Sequence, residues 1–244
     1  MTQLCAGVRY LVTGRHGGTS RDPFTSLNLG LAVGDDPAAV AANRKLAAAS
    51  CGLQATEIAW MSQVHGAVVR QAGPDWPGQH REPCDAIFTD VPGLALAVQV
   101  ADCVPVLVAD PQARLAGAAH AGRQGMVAGV VPALVAAMAA AGAAADRMHA
   151  LIGPAICGGC YEVPEQMRAG AGAVIPEASC VTRAGTAGLD IVAGVRAQLA
   201  GSGVGSITQD GRCTRESADL FSYRRDGATG RFAALVWLEP ARVA

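Results

Sequence analysis

Three nearly continuous apolar runs lie close together at the centre of the chain, at residues 94–100, 104–109 and 115–120. A shorter run with the same character precedes them at 87–89. Runs that do not alternate with polar residues are typical of strands covered on both faces. Turn sequences such as Pro92-Gly93 and Asp110-Pro111 separate them. The sequence therefore predicts a central sheet covered by other layers of structure.

The flanking sequence predicts helices and outer strands around this centre. Asp36 is a suitable N-cap, Pro37 fits the first helical position, and Gly52 fits a left-handed stop, so a helix is expected from 37 to about 50. Two more helices are predicted, at 126–141 and 189–199, the second from its apolar residues at helical spacing. Outer strands are predicted at 10–13, 58–64, 149–152 and 232–238.

Helix and strand signals do not alternate regularly, which disfavours a doubly wound fold or a barrel of repeated βα units. No internal repeat or low-complexity linker divides the 244 residues. We therefore expect one domain over 1–244 with a mixed α/β fold.

Composition excludes several classes of partner. The chain has 19 basic and 20 acidic side chains, and its one lysine is Lys45, so no basic tract predicts binding to nucleic acid or to an anionic membrane. Residues 125–145 carry no charge but are mostly Ala and Gly with Pro132 inside, which favours a buried helix over a membrane span. Eight cysteines in a chain that needs no disulfides, with no apolar leader, predict a cytoplasmic protein. A monomer or a homodimer is expected.

Three predicted strand ends carry a side chain that can bind a metal ion. These are His65, Cys103 and His120, each beside small residues or glycine. One thiolate and two imidazoles suit Zn²⁺ and leave a fourth position open, as in catalytic zinc sites, where the pKa of a bound water falls to roughly 7. The spacings of 38 and 17 residues match no compact zinc motif. On spacing alone, an ordinary buried cysteine and two histidines hydrogen-bonded in turns are the favoured explanation of the pattern.

Short segments in a characteristic order extend over nearly the whole chain. They occur at 15–20, 24–30, 34–35, 43–44, 63–66, 85–86, 101–105, 120–122, 152–156, 160–163, 213–214 and 221–225. In this order the sequence resembles the laccase-domain or multicopper polyphenol oxidoreductase family, whose members are now regarded as zinc-dependent purine nucleoside phosphorylases with adenosine deaminase activity.

The resemblance implies that His65, Cys103 and His120 bind one zinc ion, in an α/β/β/α layered sandwich with mixed sheets. It also implies phosphorolysis of adenosine, inosine, guanosine and methylthioadenosine, and deamination of adenosine. We expect zinc rather than copper, because five histidines spread singly along the chain do not form a multinuclear copper cluster.

The sequence departs from the family at one motif. The family usually reads His-Ala-Gly-Trp-Arg-Gly, whereas this chain has Arg123 and Gln124 after His120-Ala121-Gly122. Arg123 is nevertheless a candidate to bind substrate. A phosphorylase must bind a phosphate dianion, for which Arg15 beside Gly17 and Gly18 is a further candidate.

Other polar residues complete the candidate site. The catalytic candidates are Asp102 and Glu162, for acid–base catalysis, and Arg15, through its binding of phosphate. Asp102 is also suited to capping a turn or orienting a metal ligand. Substrate-binding candidates are Arg15, Ser20, Asn28, Gln63 and Arg123. Turn chemistry is the simpler explanation for several of them.

Two features support other interpretations. Cys157 and Cys160 have the spacing of a redox or zinc-binding pair, but no second pair exists, so both are expected to be incidental buried cysteines. The altered Arg123-Gln124 pair motivates a binding module without activity. A metal-free cysteine hydrolase or amidase is a further alternative, with Cys103 as nucleophile and His120 as base, as in the peptidoglycan-precursor editing described for some relatives.

Overall fold

The predicted central strands form the middle of two stacked mixed sheets. A computed structural model describes residues 2–76 and 82–240. Its strands are β1 Thr2–Cys5, β2 Val8–Val12, β3 Ile58–Trp60, β4 Val69–Gln71, β5 Ala86–Thr89, β6 Ala95–Val100, β7 Val104–Asp110, β8 Leu115–Ala121, β9 His149–Ile152, β10 Ser179–Val181, β11 Ala187–Leu189, β12 Ser206–Gln209 and β13 Phe232–Leu238.

Six α-helices accompany these strands in the described part of the chain. They are α1 Pro37–Ser50, α2 Arg123–Val127, α3 Val130–Ala140, α4 Glu165–Val174, α5 Ile191–Gly201 and α6 Tyr223–Asp226. Within residues 2–76 and 82–240, no helix is both long and apolar enough to cross a bilayer.

The two large sheets each combine parallel and antiparallel strands. One has the order β1-β2-β13-β6-β3 and the other β12-β9-β7-β8-β5-β4. Only the β3–β6 pair is parallel in the first sheet as described, and the β12–β9 and β4–β5 pairs are parallel in the second. A small β10–β11 hairpin is separate.

Three apolar clusters show how the layers stack. One cluster packs α1 against the outer face of the first sheet, the second fills the space between the two sheets, and the third packs α2 to α5 against the outer face of the second sheet. The predicted single-domain α/β/β/α sandwich is therefore confirmed. Strands β7 and β8 are buried throughout, as their continuous apolar runs predict.

Small residues in β8 allow the helical layer to approach closely. A side chain at Gly117 would place its Cβ 2.7 Å from Sδ of Met138 and 3.1 Å from Cδ1 of Leu134, both on α3. Ala119 and Ala121 lie on the same face of β8 and pack in the same cluster as the helices, so their small side chains leave room for the bulkier side chains of the helical layer.

The predicted helix at 126–141 is wrong in one respect, because it is divided into α2 and α3. Gly129 has a φ of 82° and forms the N-cap of α3. This left-handed conformation is favoured only for glycine, so it ends the preceding helix. Pro132 then falls in the first turn of α3, where its missing N–H has no helical partner to lose. The helix expected at 189–199 begins at Ile191, because the carboxylate of Asp190 caps it through the amide of Ala193.

The predicted strand at 58–64 ends earlier, at Trp60. The side-chain amide of Gln63 donates to the carbonyl of Gln99 at 2.8 Å and accepts from the Gln99 amide at 2.9 Å. This side chain therefore takes the place of a backbone pair, and the chain turns toward His65. The sequence analysis did not predict the short strands β1, β4 and β10 to β12, nor helices α4 and α6.

Asp110, at the end of β7, is a buried charge that organises the loop between the sheet and the helices. Its carboxylate accepts from the amides of Gln112, Ala113 and Ala144 and from the guanidinium of Arg147, at 2.8 to 3.1 Å for the closest contact with each. Burial opposes ionisation, but these hydrogen bonds outweigh it and hold the pKa of Asp110 below its usual value.

Replacing Asp110 with asparagine should lower the free energy of unfolding by about 2–3 kcal/mol near neutral pH, because the ionised acceptor is lost. The depressed pKa gives the wild type a stabilising contribution that is present above about pH 4 and lost as the pH falls through the folded-state pKa. The difference between the two proteins should therefore shrink in acid. Urea unfolding at several pH values tests this, with the exposed Asp90→Asn as control. A pH-independent difference would contradict it.

Candidate metal centre and active-site cavity

The register of the β7–β8 hairpin brings the three predicted metal ligands together. Val104 pairs with Ala121, so Cys103, which precedes β7, faces the end of β8 that carries His120. His65 approaches from the loop after β3, with its Nε2 3.9 Å from Sγ of Cys103. The rings of His65 and His120 lie edge to face, with centroids 4.7 Å apart. One donor atom from each of the three residues lies within 4.8 Å of the others.

Asp85 holds both histidines in place through hydrogen bonds, to the backbone of His65 and to the ring of His120. Its buried carboxylate accepts from the amides of Val64, His65 and Gly66 at 2.7 to 3.2 Å and lies 2.9 Å from Nδ1 of His120. Burial opposes ionisation of Asp85, but the bonds from His120 and the backbone amides outweigh it and lower its pKa. A carboxylate on Nδ1 directs the Nε2 lone pair of a histidine toward a metal ion. The sequence analysis assigned no role to Asp85.

Backbone conformation contributes to the arrangement. His65 and Asp102 have φ values of 64° and 91°, a left-handed conformation that is costly for residues with a Cβ and concentrates at functional sites. Gly122 is required for a different reason. A Cβ at this position would lie 2.8 Å from Cδ2 of His65 and 3.0 Å from Sγ of Cys103. The absence of a side chain at Gly122 therefore makes room for the donor group.

Mutual electrostatics favour a thiolate at this site. Burial raises the pKa of the Cys103 thiol, but His120 and His65 outweigh it and lower the pKa to about 6. Burial conversely lowers the pKa of His120, but Cys103 and Asp85 outweigh it and raise the pKa to about 9. Each group stabilises the charged form of the other.

The donor set fits a divalent zinc ion. A tetrahedral zinc ion places sulfur and nitrogen ligands about 3.5 Å apart, close to the 3.9 Å between Cys103 and His65. The set combines one sulfur with two imidazole nitrogens, and Asp85 orients one imidazole from behind. Three protein ligands leave a position for a substrate oxygen or a water molecule.

A cavity of about 810 Å³ opens over this group. This volume suits a small-molecule ligand. Its lining is mixed, with the aromatic rings of Trp60, Tyr161 and Tyr223, apolar side chains from several loops, and four arginines. The arginines are Arg44, Arg123, Arg224 and Arg231.

The four arginines are not equivalent. Arg44 packs on the ring of Trp60 at 4.0 Å and donates to the carbonyl of Leu29 at 3.0 Å, and burial lowers its pKa to about 10. Arg224 lies over the ring of Tyr161 at 5.0 Å. Arg123 begins α2 and faces the cavity, whereas Gln124 is exposed and does not line it. The altered motif after His120 therefore still places one guanidinium at the cavity.

Asp102 and Gln63 also line the cavity. Asp102 accepts from the hydroxyls of Thr214 and Ser222 at 2.6 and 2.7 Å and from the amide of Arg224 at 2.6 Å. These contacts tie the β6–β7 turn to the segment before α6. The amide of Gln63 is occupied by its pairing with Gln99.

Four other predicted site residues lie elsewhere. Arg15 contacts Asp226 and the carbonyl of Thr25 and packs on Phe221, and it does not line the cavity. Ser20 and Asn28 are buried and both bond to Asp35, so they organise the loop before α1. The side chain of Glu162 is exposed, and only its backbone carbonyl contacts a cavity residue, Arg224, at 2.7 Å.

The fold and this donor group define a mixed α/β protein with a candidate metal centre in the wall of a large cavity. Residues 9–239 match the family described as multi-copper polyphenol oxidoreductase laccase. This chain belongs to that family, and the resemblance in the sequence is confirmed.

Relatives and solved structures agree with this assignment. A Streptomyces coelicolor protein named purine nucleoside phosphorylase is 56% identical over 233 residues, which cover 96% of each chain. A Mycobacterium tuberculosis protein named purine nucleoside phosphorylase is 48% identical over 95% of this chain and 92% of its own. The structure of YlmD from Geobacillus stearothermophilus has a TM-score of 0.91 and 34% identity, over 98% of this chain and 94% of that one.

Proposed function

We propose that this protein is a zinc-dependent purine nucleoside phosphorylase that also deaminates adenosine at the same site. The substrates are adenosine, inosine, guanosine and methylthioadenosine, with inorganic phosphate as co-substrate. The observation that carries the proposal is the group of His65, Cys103 and His120 in the wall of a cavity that arginines also line. The names of the relatives from Streptomyces and Mycobacterium support the same reaction.

Phosphate binding is assigned to Arg123 and Arg224. Both line the cavity near the metal ligands, and no hydrogen bond to a carboxylate is present at either guanidinium among the described residues. Arginine suits a dianion because its planar fork donates two parallel hydrogen bonds. Arg15, which is bound to Asp226, is better explained as support for the loop behind the cavity.

Purine binding is assigned to the aromatic and apolar part of the lining. Trp60, Tyr161 and Tyr223 present rings suited to stacking a base, and the cavity volume accommodates a nucleoside together with phosphate. Tyr223 is 61% exposed and is therefore free to pack on an incoming base.

The metal and one carboxylate supply the remaining chemistry. When bound, zinc supplies Lewis acidity at neutral pH. Asp102 is the carboxylate that lines the cavity among the described residues. Its Oδ2 accepts a hydrogen bond from the amide of Arg224 and keeps a further acceptor position for a proton in deamination. Its bonds to Thr214 and Ser222 hold it in place.

A cytoplasmic location is part of the same proposal. None of the eight cysteines, all of which lie in the described part of the chain, forms a disulfide, which is typical of proteins of a reducing compartment.

Incubation of the zinc-loaded protein with adenosine tests the proposed reactions. Adenine and ribose 1-phosphate should form only when phosphate is present, and inosine should form with or without phosphate. Absence of all three products would overturn the proposal. Hydrolytic deamination that survives complete metal removal would instead support a cysteine-dependent hydrolase with Cys103 as nucleophile.

Substitution of the two cavity arginines tests the phosphate assignment. Arg123→Gln and Arg224→Gln should each raise the KM for phosphate about 10- to 100-fold, since a charge-assisted hydrogen bond contributes roughly 1.5–3 kcal/mol. Deamination, which uses no phosphate, should change much less. Arg212→Gln serves as control because Arg212 is paired with Asp210 and Asp219 away from the cavity. An unchanged phosphate KM in both variants would refute the assignment.

A further inference from the structure

A second group of metal-binding side chains lies behind the cavity wall. The sequence predicts that Cys157 and Cys160 are incidental buried cysteines, but the fold places Cys213 and Glu216 against them. One donor atom from each of these four residues lies within 4.8 Å of the others. Isolated buried cysteines would not require such convergence of three thiols and one carboxylate.

Two similar turns form the group. The amide of Cys160 donates to the carbonyl of Cys157 at 2.9 Å, and the amide of Glu216 donates to the carbonyl of Cys213 at 3.1 Å. Each turn therefore presents two ligands three residues apart, the spacing found in structural zinc sites. A bridge between Ala155 and Cys213 sets the two turns side by side.

We propose that Cys157, Cys160, Cys213 and Glu216 bind a structural zinc ion. Three thiolates select a soft or borderline ion such as zinc, and a carboxylate completes four ligands. The site is closed because all four ligands come from the protein, which distinguishes it from the open group at Cys103. This second site does not depend on the function proposed above.

The surroundings of the group suit bound thiolates. The amide of Cys157 points to Sγ of Cys213 at 3.4 Å, and Nη1 of Arg183 lies 3.5 Å from Sγ of Cys160. Arg183 also forms an ion pair with Glu216. Three thiolates and one carboxylate carry more negative charge than a divalent ion neutralises, so a nearby guanidinium stabilises the loaded group.

The ion would fasten two segments that build the active-site cavity. Ile156 and Tyr161, adjacent to the first turn, line the cavity. Thr214, within the second turn, donates to Asp102 at 2.6 Å, and Asp102 precedes Cys103. A zinc ion between the turns would therefore hold the wall of the cavity and the support of Asp102 together.

Metal analysis of the full chain tests this site. In a His65→Ala, His120→Ala background, the purified protein should retain about one zinc ion per chain. Adding Cys157→Ser and Cys160→Ser should remove that ion. Cys180→Ser is the matched control, since Cys180 contacts the carbonyl of Gly158 but is outside the group, and it should leave the zinc content unchanged.

The zinc content of the His65→Ala, His120→Ala protein is the measurement that tests the second site. Absence of zinc from the His65→Ala, His120→Ala protein after loading and removal of free metal would overturn the proposal. Unchanged zinc after Cys157→Ser and Cys160→Ser would overturn it as well. Neither result bears on nucleoside cleavage, so failure of this proposal is distinct from failure of the proposed function.

A second measurement leaves all four ligands intact in case their substitution prevents folding. Cobalt loaded into a Cys103→Ser variant should give strong thiolate-to-cobalt charge-transfer absorption from the three thiolates of the second site. The first site cannot contribute, because its thiolate has been removed. Alkylation should also be slower at Cys157, Cys160 and Cys213 until a chelator is added. A folded cobalt-loaded variant without this absorption would refute the site.

Discussion

Replacing His120 with alanine should remove the metal ion at the open site and lower nucleoside cleavage by about 10³-fold or more. Removing a metal that acts as a Lewis acid costs several kcal/mol of transition-state stabilisation, and each 1.36 kcal/mol is a factor of ten in rate. His120 is 3% exposed and lies against both Cys103 and Asp85, so its removal takes away a buried ligand together with the group that Asp85 orients.

The measurement combines zinc content with steady-state kinetics for adenosine and phosphate. His149→Ala is the matched control, because His149 lies on β9 of the same sheet and belongs to neither donor group. It should keep wild-type zinc content and activity. Wild-type turnover in a His120→Ala protein that has lost this zinc would contradict the metal-dependent reaction.

Replacing Asp85 with asparagine should weaken zinc binding about 10- to 100-fold and destabilise the fold by about 3 kcal/mol. Oδ1 of Asp85 serves the amide of His65 and Nδ1 of His120, whereas Oδ2 serves the amides of Val64 and Gly66. In either orientation, the asparagine NH₂ group faces two donors in a buried site. Loss of a carboxylate that orients a histidine ligand has effects of this size on metal affinity, and an unsatisfied buried donor is costly.

Competition with a zinc chelator and urea unfolding measure the two effects. Asp110→Asn is the matched control, because Asp110 is an equally buried carboxylate that contacts no metal ligand. It should lower stability without changing zinc affinity. Wild-type zinc affinity in folded Asp85→Asn would show that Asp85 supports the loop alone.

The central strands could be predicted because their signals are local. Continuous apolar runs at 94–100, 104–109 and 115–120 correspond to β6, β7 and β8, and the 37–50 helix matches α1 because its cap and stop residues are adjacent to it. Strands β10 to β12 lack comparable runs. They form through strand pairing: β10 and β11 pair with each other, and β12 pairs with β9.

The same difference between local sequence signals and tertiary contacts explains which candidate site residues could be predicted. The three metal ligands could be proposed from their residue types and from the resemblance to a family. Asp85 was missed because a single aspartate before an apolar strand is an ordinary strand end. The four-ligand group was missed because Cys213 and Glu216 lie more than fifty residues from Cys160, although the repeated three-residue spacing was a usable signal.

By itself, the sequence determined the element types at the core and the chemistry available at each turn, since propensity, capping and ligand preference are properties of neighbouring residues. Only the tertiary structure decided which distant turns meet. The pairing of Ala86 with Ala119 sets Asp85 beside His120, and the pairing of Val104 with Ala121 sets Cys103 beside Gly122. A shift of one residue in either register would turn these side chains to the opposite face of the sheet, so strand pairing determines the site.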